Sequence, residues 1–139
     1  MQKNNCLTKI YSRERNNQKQ DHFAEKKALE RWNQGDPSGF LEISANDVVY
    51  FDPFTEQRID GLEKLSEVYE TISGQIKVDE YEMINPKVQH TDEMAVLTYN
   101  LISYIKIDLV RWNCTEVFRK DNNEEWKIIK THWSFTKPD

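Results

Sequence analysis

Asp52 stands immediately before Pro53, at the end of the β-branched and aromatic run Asp47 to Phe51, DVVYF. A carboxyl in that place has two uses. Apolar neighbours such as Phe51, Phe54 and Trp32 can raise its pKa toward the working pH and make it a general acid or base. It can equally form the Asx turn that opens a proline loop. His132 changes charge near neutrality, so it can exchange protons or hold an anion, or else simply hydrogen-bond inside a sheet. Facing each other, Asp52 and His132 would form an acid–base dyad, although no spacing brings them together. Asn100 interrupts the apolar run AVLTYNLISYI, residues 95–105. A buried amide must find partners, which makes Asn100 either a ligand contact or the answer to a backbone irregularity. Arg111 either holds a carboxylate or pairs with a surface acid.

Other chemistry lacks its residues. His22, His90 and His132 show no metal-ligand spacing. There is no glycine-rich phosphate loop and no nucleophile elbow, so neither cofactor nor metal is expected. Asn113-Cys114-Thr115 fits a glycosylation sequon that matters only after export.

Three helices and a set of strands must position these groups. Tyr11 to Gln34 is rich in helix formers, with Phe23, Ala24, Ala28, Leu29 and Trp32 near one face, and Gly35 ends it. Asp36-Pro37 opens a short helix to about Ser44. The strand Asp47 to Phe51 and a loop from Phe54 to Arg58 follow, then Asp60-Gly61. A third helix carries Leu62, Leu65, Val68, Tyr69 and Ile72, closed by Gly74. The rest reads as four long antiparallel strands: Ile76 to Gln89, Met94 to Ile107, Leu109 to Lys120 and Trp126 to Phe135. Helices segregated to one side of an antiparallel sheet make an α+β domain. Long strands twist and curl, and a curled sheet closed by helices encloses a cone able to hold a small molecule.

Alternation then assigns the faces. With Asp52 at the mouth, the consistent cone lining is Thr98, Asn100 and Ile102, then Asn113 and Thr115, then His132 and Ser134. Trp32 and Tyr69 close the cone or simply pack in the core. A one-residue slip would invert any strand's contribution. The other parity, Trp112, Cys114, Phe118, Ile129, Trp133 and Phe135, is too apolar to leave wet, so a homodimer through the outer sheet face is expected.

The chain has 139 residues, one domain's worth, with 37% hydrophobic and 31% charged residues and sixteen aromatics. That excludes a disordered chain. No apolar run is long enough to span a bilayer, and the first twenty residues contain no secretion signal, so no membrane partner and a cytoplasmic address are expected. Cys6 and Cys114 are read as reduced thiols. Residues 1–20 carry five basic side chains and one acid, a polar basic arm or helix extension. The remainder holds about −9 of the net −5 charge, an acidic body that argues against nucleic acid. The expected division is therefore the arm, 1–20, and one domain, 21–137.

This order of elements resembles the nuclear transport factor 2-like superfamily, whose members include SnoaL-like cyclases, ketosteroid isomerases and the association domain of calcium/calmodulin-dependent kinase II. Three strings carry the resemblance: RWNQGDPSGF at 31–40, VVYFDPFTEQRIDGLEKLSEVYE at 48–70 and TEVFRKDNNEEWKIIKTHWS at 115–134. It implies a cystatin-like cone of three N-terminal helices on a strongly curved antiparallel sheet of four long strands plus one short. It also implies that Asp52 matches the proton-shuttling aspartate of ketosteroid isomerases. Their tyrosine donor falls on Ala28, and their protonated aspartic acid falls on Thr115, or on Glu116 if the turn shifts by one. Alanine cannot donate, and each lost donor costs roughly 10²–10³ in rate, which argues against ketosteroid isomerase as the specific assignment.

The expected function is binding of a small apolar molecule with a polar end. Catalysis is left open: a cofactor-free isomerase, cyclase or dehydratase using Asp52, with His132, Asn100 or Thr115 steadying an oxyanion. The alternative is a non-catalytic binding or oligomerisation module like the kinase association domain.

Overall fold

The computed structural model describes residues 23–138. The basic arm, Cys6, His22 and the start of the first helix lie outside the described residues. Helix α1 is described over 23–33. Gly35, at φ +91°, ends it as the sequence suggests. Its buried stripe is Ala28 and Leu29, whereas Phe23 is 60% exposed beneath the Lys27 ammonium. Helix α2 is shorter than expected, Ser38–Glu42. Its N-cap is Pro37 rather than the expected Asp36; Asp36 instead closes an Asx turn, its Oδ1 accepting the Ser38 amide at 3.0 Å, and Arg31 ties Asp36 to Glu42.

Strand β1 spans Ser44–Phe51, longer than expected, and β2, Ile59–Asp60, lies just past the anticipated loop. Helix α3 spans Leu62–Ile72, with Leu65 and Tyr69 buried. Four long strands follow: β3 Glu80–His90, β4 Met94–Ile105, β5 Asp108–Lys120 and β6 Trp126–Phe135. The sheet therefore has six strands, in the order β2-β1-β6-β5-β4-β3, rather than four long and one short. It is also not wholly antiparallel, since β1 runs parallel to β6. The chain reaches the β1–β6 edge only after β2, α3 and the β3–β5 meander have intervened, which permits the parallel pairing.

Irregularities bend the sheet. The β3 register shifts between Ile84 and Lys87, where Asn85 adopts φ +49° beside Pro86. A second shift separates Val117 from Phe118. Such bulges increase local twist and turn a flat ladder into a curved one. Proline is tolerated in β3 because β3 is an edge strand. Beneath the curve lies one core drawn from every layer: Ala28 and Leu29 of α1, Phe40 of α2, Val48 and Tyr50 of β1, Leu65 and Tyr69 of α3, and the inward residues of β4, β5 and β6. Among the described residues, no helix is long and apolar enough to cross a membrane.

Candidate functional site

The inward parity of the sheet is fixed by burial. On β4 it is Ala95, Leu97, Tyr99, Leu101 and Ser103, all buried, while the alternate residues Thr98 and Asn100 are exposed. Cross-strand pairing carries the parity onward: Leu97 opposes Glu116 and Tyr99 opposes Cys114, then Glu116 opposes Thr131 and Cys114 opposes Trp133. The cone lining expected from sequence is therefore inverted. Thr98, Thr115 and His132 form one cross-strand row and Asn100, Asn113 and Ser134 the next, both on the face away from the helices. The sequence grouped these six residues correctly and put them on the wrong side of the sheet. Asn100 is satisfied there, donating to Asn113 Oδ1 at 2.7 Å and to the Trp112 carbonyl. Ile102 and Arg111 oppose each other on the same outer parity.

His132 packs beside Phe51, the outward neighbour of Asp52, so the expected Asp52–His132 dyad across the cone is not formed. The apolar set expected outside is correspondingly inside. Trp112, Cys114, Phe118, Trp133 and Phe135 share the inward parity, and Trp133 meets Tyr99 edge-on, but Ile129 does not, because at the register shift buried Ile128 opposes Phe118 instead. The two errors have one cause: the more apolar parity of a sheet faces its helices, and the interior takes it before any partner can.

Asp52 follows on from the inward residues Val48 and Tyr50. Its Oδ2 accepts the Tyr50 hydroxyl at 2.8 Å, and Oδ1 accepts the amides of Phe54 and Thr55. The carboxylate thus forms the Asx turn and also meets an interior hydroxyl. Tyr50 and Tyr69 cross edge to face, their hydroxyls hydrogen-bond neighbours, and Tyr69 meets Trp32 in the same manner. Burial pushes both tyrosines above their usual range, so they stay neutral donors. On the rim, Phe54 is 74% exposed and Phe135 49%, and each meets the other and Trp112. Asp52 therefore lies between a line of tyrosine hydroxyls and an aromatic lip.

Deeper inside are two carboxyls, Glu25, which sequence reasoning had not singled out, and Glu116, which it had named only as the shifted match to a protonated acid. Glu25 of α1 and Glu116 of β5 are both 0% exposed. Glu25 accepts the Tyr99 hydroxyl, Glu116 meets Thr131, and Cys114 Sγ lies 4.0 Å from Glu116. Each glutamate keeps one oxygen with no protein donor. A proton resolves this: with Glu116 protonated, its hydroxyl can donate to Glu25. Burial raises both pKa values, Glu25 to about 7 and Glu116 well above its ordinary value, where the neighbouring Glu25 charge adds to the effect. Glu25, Cys114 and Glu116 also bring three potential ligand atoms within 4.8 Å of one another. Sequence signals for both acids existed. Glu25 lies three and four residues before Ala28 and Leu29 on the apolar stripe of α1, and Glu116 interrupts the Cys114–Phe118 alternation.

Comparison with known proteins places this geometry. The SnoaL-like domain family matches residues 26–138. A protein from Parabacteroides distasonis ATCC 8503, provisionally described as a ketosteroid isomerase, is 46% identical, with a TM-score of 0.76 over 83% of this chain and 84% of that one. A protein of Streptomyces avermitilis, provisionally described as a dehydratase of the NTF2-like family, is 18% identical with a TM-score of 0.69, covering 88% and 98%. The S. rosetta CaMKII hub gives 18% identity and a TM-score of 0.69, covering 85% and 95%. At that identity the last two likenesses speak to fold alone, and the fold is the NTF2-like, cystatin-like one. No curated protein matches.

Proposed function

The chain belongs to the SnoaL-like domain family, and from that premise we propose that it binds a small, largely apolar molecule with a polar end at the aromatic lip and moves a proton there with Asp52. The observation that carries this reading is the pairing of Asp52 with the Tyr50 hydroxyl at the end of the inward parity. A carboxylate placed between hydroxyl donors and exposed aromatic rings suits removal of a proton from carbon next to a carbonyl. The rings would hold the apolar body, and Asp52 would take the proton and return it to a neighbouring carbon.

Oxyanion stabilisation passes from the sequence candidates to the interior. His132, Asn100 and Thr115 leave this role because they face outward. Neutral Tyr69 takes it, held as a donor by burial, since the single Tyr50 hydroxyl proton is given to Asp52. Glu116 rather than Thr115 faces inward, which supports the match shifted by one residue and weakens half of the argument against ketosteroid isomerase-type chemistry. Ala28 remains unable to donate. The description given to the Parabacteroides protein supports the same class of reaction.

The test is deuterium exchange at the α-carbon of neutral apolar ketones, followed by NMR, with the unaltered protein and Asp52→Asn. At least a hundredfold loss of exchange is expected in the variant. Equal exchange in both would remove Asp52 from the chemistry. Binding without any exchange by the unaltered protein would leave a binding module. We also propose that two copies pair through the outer sheet face.

A further inference from the structure

The reaction proposed above makes no use of Glu25, Cys114 and Glu116, which meet where α1 lies against the middle of the sheet. Glu116 is opposed by Leu97 on one side and Thr131 on the other, and Cys114 stands two residues away on the same inward parity. One carboxyl from α1, with a carboxyl and a thiol from β5, thus places three potential ligand atoms within 4.8 Å of one another. A separate observation points to something that these atoms hold. Glu25 and Glu116 are both fully buried, and Glu25 Oε2 and Glu116 Oε2 have neither a protein donor nor contact with solvent. A shared proton answers the carboxyls alone and leaves the third donor, the Cys114 sulfur, without a part. We propose that Glu25, Cys114 and Glu116 form a binding site for one borderline-soft divalent cation of the zinc(II) kind, which ties α1 to the sheet in place of that proton.

The donor set selects the ion. Two carboxylates answer a divalent charge, and a sulfur beside them favours zinc over magnesium or calcium, which oxygen ligands suit. Calcium would also need about six to eight oxygens, more than this dry cluster offers. Around zinc, oxygen ligands stand about 2.0–2.2 Å and sulfur about 2.3 Å from the ion, so tetrahedral neighbours lie roughly 3.3–3.7 Å apart. Atoms already within 4.8 Å reach that spacing through side-chain adjustments of about an ångström. Ligating carboxylates need outer partners to orient them. Tyr99 donates to Glu25, and Thr131 meets Glu116. Binding releases the proton shared by the glutamates and also the Cys114 thiol proton, because a coordinating thiol is deprotonated. Histidine spacing could not reveal this set, which holds no histidine and is assembled from two elements far apart in the chain.

Metal analysis of the full chain tests this, after expression in minimal medium supplemented with zinc and desalting in the presence of a chelator. About one retained zinc ion per chain is expected, and at least tenfold less in Glu25→Gln and in Glu116→Gln. Expression with cobalt(II) in place of zinc should give a protein with a sulfur-to-cobalt charge-transfer band. Cys114→Ala should lose that band, and Cys6→Ala, which alters the other cysteine of the chain, should keep it. Circular dichroism identifies the folded variants, and the two glutamine variants carry the test if Cys114→Ala does not fold. A chain that retains no zinc overturns the site. Equal zinc in the unaltered protein and the variants would mean an adventitious ion only, and would overturn it as well. A cobalt band that survives Cys114→Ala would place the metal elsewhere and do the same. None of these readouts depends on the reaction assigned to Asp52.

Discussion

Two buried glutamates make the sign of this protein's pH dependence unusual for carboxyls. Glu25, raised from 4.5 to about 7, and Glu116, raised well above its ordinary value, bind protons in the folded chain that the unfolded chain has already lost. Both contributions are fully present below pH 4.5; that of Glu25 is lost as pH rises through about 7, and that of Glu116 as pH rises through its own raised pKa. For Glu25 alone this amounts to about 3 kcal/mol. Asp36, Glu42, Asp47 and Asp60 are lowered by their arginine and hydroxyl partners and act in the opposite sense, losing stability only as the solution turns acid. Between pH 5 and 8 those four are ionised whether folded or not, so they do not contribute to the pH dependence of urea unfolding in that window, and the Glu116→Gln comparison identifies the share of the buried pair. Stability should decline across it, and Glu116→Gln should flatten the decline. A rise with pH would show that the pair is not protonated. The sequence displays both acids on apolar stripes but not that the stripes meet, since that depends on register and on the seating of α1.

At the level of elements, the helices and the four long strands were legible because their periods and punctuation were clear. Gly35 ended α1 where expected, and β6 ran from Trp126 to Phe135 as read. The facing of the sheet was not legible. In β4 one parity, Ala95-Leu97-Tyr99-Leu101, is apolar throughout and the other, Val96-Thr98-Asn100-Ile102, is half polar, but a preference for polar groups near a ligand chose the second. Burial chose the first, because a methyl or ring turned toward the helices leaves water entirely while Asn100 loses nothing by staying wet. The turns offer a sharper test of element geometry. At Gly35, a Cβ would meet the Ile76 carbonyl oxygen at 3.1 Å and Gly74 Cα at 3.3 Å, both backbone atoms, in a backbone already at φ +91°. Gly74, at φ +78°, has open space around it. Gly74→Ala should therefore lose about 1–2 kcal/mol from conformation alone. Gly35→Ala should lose clearly more, since α1 and the turn after α3 would have to separate. Thermal unfolding of the two variants checks the order, and equal losses would mean that the contact yields.

For the whole molecule, the case for pairing changes its basis when the sheet is turned over. The aromatic parity invoked for an outer interface is consumed by the interior, so an exposed hydrophobic stripe no longer demands cover. What remains outside is a mixed face. Val49, Phe51, Val96, Ile102 and Val117 are half-buried among Thr98, Asn100, Asn113, Thr115, His132 and Ser134. That balance suits a two-fold interface, whose surface need be no more apolar than the rest of the protein. The amides are already engaged: Asn113 donates to Ser134 and to the Phe135 carbonyl, and accepts from Asn100 and Thr136. Covering them would therefore leave few orphaned donors. Thr115 lies at the middle of the Thr98–Thr115–His132 row on β5, with β6 and β1 to one side and β4 and β3 to the other. An axis through the sheet centre would bring it close to its own copy. Thr115→Glu should place two like charges across that axis while leaving the half-exposed strand intact. Light scattering is expected to show twice the chain mass for the unaltered protein and a single chain for the variant, with unchanged circular dichroism. A monomeric unaltered protein would end the proposal. A dimer that tolerates Thr115→Glu would move the interface away from the centre of this face, toward the apolar tip where Ile107 is fully exposed between β4 and β5.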